Sequence, residues 1–538
     1  MKTTKMYIAI LMFLSLFFCT CTKTGEKETE VADVNAGNLK IGWASVDITP
    51  DKPVVVRGSL QARVSEGVMD PITATVLALE SGTGQSSEKF IMVSCDLIAI
   101  SDGMNDGSPD NLRDKVRNLI RESVPEIGFE KVILNGTHTH AAPDVSPLSI
   151  KEKWGVELDA IELKEYLDWL SVKIAQTAVE AWNNRSPGGI SYGLGHAVVG
   201  HNRLQVAFDG SSYMYGELNR PEFSHIEGYE DHSVNILYTW DANKKLTGVV
   251  VNLACTSQVT GGYLISADFW HDTRVELRNR LGEHLFVLPQ VNPAGDQSPR
   301  TMVGREAEER MIKMMYPDVE DGGIRQRKEI ARRISDAVCS VLTYMPEVIE
   351  WDPVFAHKME KVELSRRLLS IEDVDNALIN DWHNRDKLTP ADFKSRYEKM
   401  LSDIEANPAL KEKPRWYGPI TNAYIMMKRG YGVRERYELE KVQPKLPIEI
   451  HTLRIGDMVI ATNPFELYLD YGMRIKARSP AIQTFLVQLA GDGTYLPTER
   501  AIAGGSYGAA PTSTLIGPEG GQELVENTLN LINSLWEK

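Results

Sequence analysis

Short apolar runs along the chain are separated by stretches whose apolar positions recur at helical spacing. Runs at 41–49, 72–79, 90–93 and 131–134 have the length and composition of buried strands. Between the third and fourth, Leu112, Val116, Leu119, Ile120 and Val124 follow helical spacing, on one face of a helix. The spacing then predicts a long amphipathic helix over 160–182 and a strand over 190–199. Strands at 234–240 and 246–254 are joined by Asp241-Ala242-Asn243-Lys244-Lys245, a hairpin signal. A helix over 272–281, a buried strand over 285–289 and a helix over 324–344 follow. From 363 to 440 the chain is charged and mostly helical, most clearly over 372–382 and 390–405. Strands at 448–453 and 458–461, a helix over 469–477, a strand at 484–489 and a helix over 523–536 close it. This alternation predicts an α/β fold: one large mixed-sheet domain with flanking helices, in two parts (40–362 and 441–538), interrupted by a helical insertion (363–440).

Composition changes this picture little. Of 538 residues 42% are hydrophobic and 25% charged, ordinary for a chain that buries a large core. The formal net charge of −15 argues against affinity for nucleic acid or for anionic lipid headgroups. The beginning reads as a targeting device. Lys2 and Lys5 precede an apolar run over 6–18, too short to span a bilayer, and Cys19, Cys21 and an acidic stretch follow. This resembles a bacterial lipoprotein signal. Thr20 is small enough to precede the cleavage site and Phe18 is not, so Cys21 is the candidate lipidated residue. Residues 1–21 would then be the signal and 22–39 a flexible tether, with the protein held at the bacterial cell envelope by an N-terminal lipid anchor. An ordinary secretory signal is the alternative. Beyond it only Cys95, Cys255 and Cys339 remain, too few and too widely spaced for a disulfide framework or a cysteine zinc site. They are expected to be buried small hydrophobes. The chain carries no P-loop and no dinucleotide glycine fingerprint.

Candidate chemistry gathers where strands run into loops, the usual place for functional groups in α/β proteins. The run at 132–134 leads into Asn135-Gly136-Thr137-His138-Thr139-His140-Ala141-Ala142-Pro143. On an extended chain, histidines two apart share a face. Other strand ends offer Asp96, Arg203, Asp296, Ser298, Glu466 and Tyr495. Two imidazoles, a carboxylate, a phenol, an arginine and a serine suit metal-assisted hydrolysis, with the arginine or a hydroxyl steadying a developing oxyanion.

These motifs resemble, in order, those of the neutral/alkaline non-lysosomal ceramidases, zinc-dependent amidases that split ceramide into sphingosine and fatty acid. The stretch 135–143 is similar to that family's T-H-T-H-S-G-P signature. Asn202-Arg203, Gly295-Asp296-Gln297-Ser298-Pro299, Pro464-Phe465-Glu466, and the pair Tyr495 and Tyr507 ahead of Ser513-Thr514-Leu515-Ile516-Gly517-Pro518 support it. The resemblance implies His138, Glu466 and Tyr495 as zinc ligands and His140 as a hydrogen-bonding neighbour. It further implies Arg203 and Tyr507 on the substrate amide, Ser298 as nucleophile or oxyanion partner, and Asp296 beside it.

Three departures accompany the resemblance. Thr256 stands where the family has a second ligand histidine, with His271 and His201 as candidate substitutes. His201, His225 and His232 cluster with Glu227, Glu230 and Asp231, either a polar loop or a rebuilt substrate rim. The chain also ends soon after the tyrosine motif, which implies a member lacking the C-terminal immunoglobulin-like domain. The insertion lies where it could reshape the pocket mouth. The expected function is a ceramidase-like, metal-assisted hydrolase of a small-molecule or lipid amide. The alternatives are a hydrolase of another amide or ester with an altered or absent zinc site, or a ligand-binding surface lipoprotein.

Overall fold

The computed structural model describes residues 37–82, 87–104 and 107–537. The lipoprotein signal with Cys21, and the tether up to residue 36, lie outside the described residues. Leu39 is fully buried, so the folded region takes in the last residue of the stretch read as tether.

Eight strands form the large sheet: β1 (Lys40–Asp47), β2 (Thr73–Ser81), β3 (Glu88–Cys95), β4 (Val132–Gly136), β5 (Ser186–His196), β6 (Ser233–Asp241), β7 (Leu246–Leu253) and β8 (Phe286–Val291). Their spatial order is β8-β7-β6-β5-β1-β2-β3-β4. The sheet is mixed: β3 with β4 and β7 with β8 are parallel, and the remaining neighbours are antiparallel. Both parallel pairs carry a helix in their crossover, as parallel pairing requires. These helices are α1 (Leu112–Ser123) and α3 (Phe269–Leu281), with α2 (Leu163–Asn183) lying between them in sequence.

A second sheet, which the hydrophobic pattern did not predict as a separate layer, is built from β9 (Phe355–Ser365), β10 (Lys445–Ile455), β11 (Met458–Thr462) and β12 (Gln483–Val487), in that order. Strand β9 escapes a reading by apolar runs because Lys358, Glu360, Lys361 and Glu363 interrupt it. It is secured by register instead, pairing along its full length with β10. Alternation along the strands explains the stacking. Leu77, Leu79, Phe90, Met92, Ile133, Leu237, Val250 and Leu288 project from the large sheet into one cluster with Met458, Ile460, Phe485 and Val487 of the second. The intervening residues, such as Val76, Ile91 and Leu134, face α1 and α2. Ile236, Val249 and Val287 face α3 and α4 (Gly322–Leu342). The outer face of the second sheet is covered by α7 (Leu469–Arg478) and α8 (Pro518–Asn533). The layers therefore run helix, sheet, sheet, helix.

The charged segment after β9 folds as helices, chiefly α5 (Pro390–Ala406) and α6 (Tyr417–Glu440). The helix expected over 372–382 stops at Asn376. Asp381 and Asn384 instead build a hydrogen-bonded turn there. Ile404, Tyr417 and Ile420 of the segment pack on Ile150, Trp154 and Leu163 beside the large sheet. No helix among the described residues is long and apolar enough to cross a membrane. Cys95 and Cys255 are buried and Cys339 is half-buried, all three as free thiols.

Candidate functional site

The site forms where β4, β11 and β12 run out into loops. Strand β4 ends at Gly136, and His138 takes a left-handed conformation, φ 62°. The two histidines therefore do not meet through strand alternation. A sharp turn brings the rings together, with centroids 4.9 Å apart and the Nε2 atoms 3.3 Å apart. The turn is held by the His138 amide donating to Leu97 O and by His138 Nδ1 donating to Ile98 O at 2.9 Å. His140 Nδ1 donates to Gly58 O at 3.2 Å. A carbonyl only accepts, so both imidazoles carry their proton on Nδ1 and present a bare Nε2. Burial lowers the pKa of both, keeping them neutral near pH 7.

Glu466 and Tyr495 arrive together. Glu466–Leu467 pairs in parallel with Tyr495–Leu496, with Glu466 opposite Tyr495. Glu466 Oε2 lies 3.5 Å from His138 Nε2 and is buried without a hydrogen-bond partner. Arg203, fully enclosed, donates to Gly295 O (2.7 Å), the Tyr495 hydroxyl (3.2 Å), the Tyr215 hydroxyl (2.9 Å) and Gln258 Oε1 (3.3 Å). Gln258 in turn donates from Nε2 to His140 Nε2 at 2.8 Å. The arginine thus fixes the orientation of the Gln258 amide, and Gln258 satisfies His140. That leaves His138 Nε2 facing only another lone pair and a carboxylate.

A cavity of 220 Å³ opens beside these groups, lined by His138, Glu466, Tyr495, Tyr507, Arg57 and Arg429 among others. Burial raises the Tyr495 and Tyr507 phenols above their ordinary value, so both are neutral donors. Tyr507 stacks edge-on with Tyr495 and with His383, whose Nδ1 meets Asp381 at 3.2 Å. Asp381 also receives Arg429 and the Thr512 hydroxyl. Arg57 is held by Asp492 at 2.6 Å; burial works to lower the guanidinium, and Asp492, Asp144 and Glu466 together raise it.

Of the residues singled out from sequence, His138, His140, Glu466, Tyr495, Tyr507 and Arg203 are brought together here. Ser298 lies one residue further out. Its hydroxyl is bonded to Tyr215 and accepts from the Arg300 amide, while His140 Nε2 is engaged by Gln258. Asp296 lies beneath, accepting from the Leu469 amide and from Asn202 Nδ2, both at 2.9 Å, and burial raises it to about 6. That geometry gives Asp296 a bracing role between two site-bearing loops. Asp96 is likewise structural, clamped by both nitrogens of Arg274 at 2.7 and 3.0 Å.

Thr256 is fully buried, and its hydroxyl has no hydrogen-bond partner. Neither candidate substitute lines the cavity. His201 is engaged by Glu230 at 3.4 Å and Thr301, and His271 sits in the first turn of α3. His232 also meets Glu230, at 3.3 Å, whereas His225 is exposed beside Ser224. Arg57, Tyr215, Gln258 and Arg429 were not anticipated. Gln258 lies two residues after Thr256, but its role depends on a hydrogen bond 118 residues away in sequence.

No set of three or more His, Cys, Asp or Glu among the described residues is arranged to hold a metal ion. The bare His138 Nε2 opposite the orphaned Glu466 Oε2, with a phenol adjoining, nevertheless fits a cation on a mixed nitrogen and oxygen donor set.

The layered α/β fold is shared with ceramidases of known structure. The chain is similar to the crystal structure of neutral ceramidase from Pseudomonas aeruginosa, with a TM-score of 0.64 and 16% identity over 93% of this chain and 74% of that one. A ceramidase complexed with C2 matches with a TM-score of 0.63 and 16% identity, over 93% of this chain and 75% of the other. No family model and no curated protein sequence matches the chain.

Proposed function

We propose that the protein is a ceramidase-like hydrolase that cleaves the amide bond of an N-acyl substrate, with a zinc ion held by His138, Glu466 and Tyr495. The observation that carries this reading is the pairing of His138 Nε2 with the unpartnered Glu466 Oε2 beneath a ring of neutral and cationic donors. Bound there, zinc would polarise the scissile carbonyl and bring the pKa of a bound water toward neutrality. The chain supplies the rest. The Tyr507 hydroxyl, a neutral donor in the cavity wall, faces the oxyanion of an attacked amide, and Arg203 steadies the Tyr495 hydroxyl from behind. Gln258 keeps His140 neutral and oriented, and the Nδ1 bonds to Ile98 and Gly58 hold both rings in one tautomer.

A second reading, cleavage of another amide or ester with Ser298 as nucleophile, draws on the Tyr215–Ser298 contact. Burial opposes ionisation of Tyr215, but Arg203 and the Ser298 bond outweigh it and lower its pKa. The lipid anchor at Cys21 would put the domain at an envelope membrane, the compartment of an N-acyl lipid.

Release of fatty acid from an N-acyl sphingoid base, with metal analysis of the purified protein, tests the first reading. Stoichiometric zinc is expected, with His138→Ala and Glu466→Ala losing the metal and at least about a hundredfold in rate. Full activity in metal-free protein would sink it. A hundredfold loss in Ser298→Ala with zinc retained would favour the nucleophile reading.

A further inference from the structure

Next to the reaction site lies a larger cavity of 1010 Å³, and the two share Arg429, Thr494 and Thr512 in their walls. Its charge is opposite to that of the whole molecule. The chain has a formal net charge of −15, yet seven lining side chains are Lys or Arg and three are Asp or Glu. Two of the acids are already engaged, Asp102 with Arg113 and Glu449 with Arg117 and His451. The basic wall comes mainly from α6, where Arg429 and Arg436 are two turns apart on one face, and from the end of β9 with Lys361 and Arg366.

The guanidiniums are crowded and incompletely partnered. Arg429 Nε and Arg436 Nε are both buried without a hydrogen-bond partner. Among the described residues the ion pairs of these two arginines are with Asp381 at 2.9 Å and Glu440 at 3.5 Å, and Ser513 Oγ and Pro511 O accept from them. Arg436 is held down to about 10, by burial first and then by Arg367, Arg366 and Arg429, against the pull of Glu440. Lys361 and Lys428 make no ion pair among the described residues. Like charges gathered in a low-dielectric wall repel unless an anion is received between them, and a planar guanidinium receives an oxyanion best.

Resting on the hydrolase reading above, we propose that this cavity receives the anionic end of the substrate, so that the amide cleaved carries an oxyanion, such as phosphate or sulfonate, on its amine half. The arginines receive the oxyanion, and Val433, Leu439, Leu446 and Ile448 in the same lining accommodate apolar parts of the molecule. The shared lining lets one molecule place its amide among His138, Glu466 and Tyr495 and its oxyanion against Arg429 and Arg436.

Two measurements on the full chain test this. The first is the ratio of kcat/KM for N-dodecanoyl taurine over N-dodecanoyl ethanolamine, an acidic and a neutral amide with the same acyl chain. A preference of about tenfold or more for the acidic amide at low salt is expected. It should fall toward unity in Arg436→Gln and in the double variant Lys361→Ala/Lys428→Ala, whose side chains are not part of the core. The second is calorimetric binding of inorganic phosphate, expected to weaken about tenfold in each variant. Equal kcat/KM for the two amides overturns the proposal and leaves the hydrolase reading standing. Phosphate binding alongside such equal turnover assigns the cavity to free phosphate instead. If neither amide is cleaved, fatty-acid release from the N-acyl sphingoid base still decides the hydrolase reading, and the titration decides for the cavity. Phosphate binding weakened in both variants then supports an anion site, and no binding, or binding unchanged in both, overturns it.

Discussion

His138 illustrates how much of the chemistry depends on single backbone conformations. A non-glycine residue at φ 62° is strained, and here the cost is met by its amide bond to Leu97 O and its Nδ1 bond to Ile98 O. The same turn exposes the bare Nε2 to Glu466. The His-x-His spacing was legible in the sequence, but the reason it assembles a site was not, because strand geometry ends two residues earlier at Gly136. Thr256 is the complementary case. Its position marked a departure from the family pattern, and folding leaves its hydroxyl buried and unpaired. An unsatisfied buried hydroxyl costs stability, so Thr256→Val is expected to stabilise the protein by about 1 kcal/mol, with hydrolytic activity retained. Urea denaturation and the fatty-acid release assay check both halves. A loss of stability would show that the hydroxyl has a partner in solution.

Among the elements, the two-residue pairing of Glu466–Leu467 with Tyr495–Leu496 places the carboxylate and the phenol side by side. Neither residue is remarkable within its own segment. Their meeting follows from β11 and β12 lying parallel, so that both chains emerge from the same sheet edge. The loop carrying Asp296 and Ser298 comes against this pair at Gly295. A Cβ there would lie 2.3 Å from Glu466 O, a backbone atom that cannot swing away. Gly295→Ala is therefore expected to cost about 1–3 kcal/mol and to displace Glu466, lowering metal content along with activity. Normal metal and rate in that variant would mean that the loops part without consequence. The helical segment after β9 was expected to reshape the pocket mouth, and it supplies Arg429 from α6 and the Asp381–His383 turn behind Tyr507.

For the molecule as a whole, the interface of the two sheets carries a buried polar network whose titration sets acid stability. His357 Nε2 meets His451 Nδ1 at 3.0 Å, His451 Nε2 meets Glu449 at 2.7 Å, and Arg117 closes on Glu449 at 2.6 Å. Burial, the neighbouring His451 and Lys131 lower His357 to about 2. In the unfolded chain a histidine protonates near pH 6.5, while His357 in the folded protein does not, so stability is complete above that pH and falls below it. The expected loss is about 1.4 kcal/mol per pH unit from this residue, or about 2 kcal/mol by pH 5. Urea midpoints at pH 7 and pH 5 measure it, and His357→Gln should flatten the pH slope by that amount. An unchanged slope would show that His357 protonates in the folded state.

Local periodicity and turn chemistry were enough to mark the α/β alternation, the helices that cover the large sheet and the strand ends where polar groups gather, because these are encoded within windows of about ten residues. Motif order pointed to the same residues, His138, His140, Arg203, Glu466, Tyr495 and Tyr507, that the fold brings together. Three matters depended on contacts between segments distant in sequence. Strand β9, with its alternating charges, becomes a strand only because β10 pairs with it, and the second sheet follows from that. Gln258 becomes the link between Arg203 and His140 only when two residues more than fifty positions before it close around it. The basic cavity exists because α6 and the end of β9 contribute to one lining. No single stretch of an acidic chain announces that concentration of positive charge, since charge density in space is set by packing and not by order along the chain.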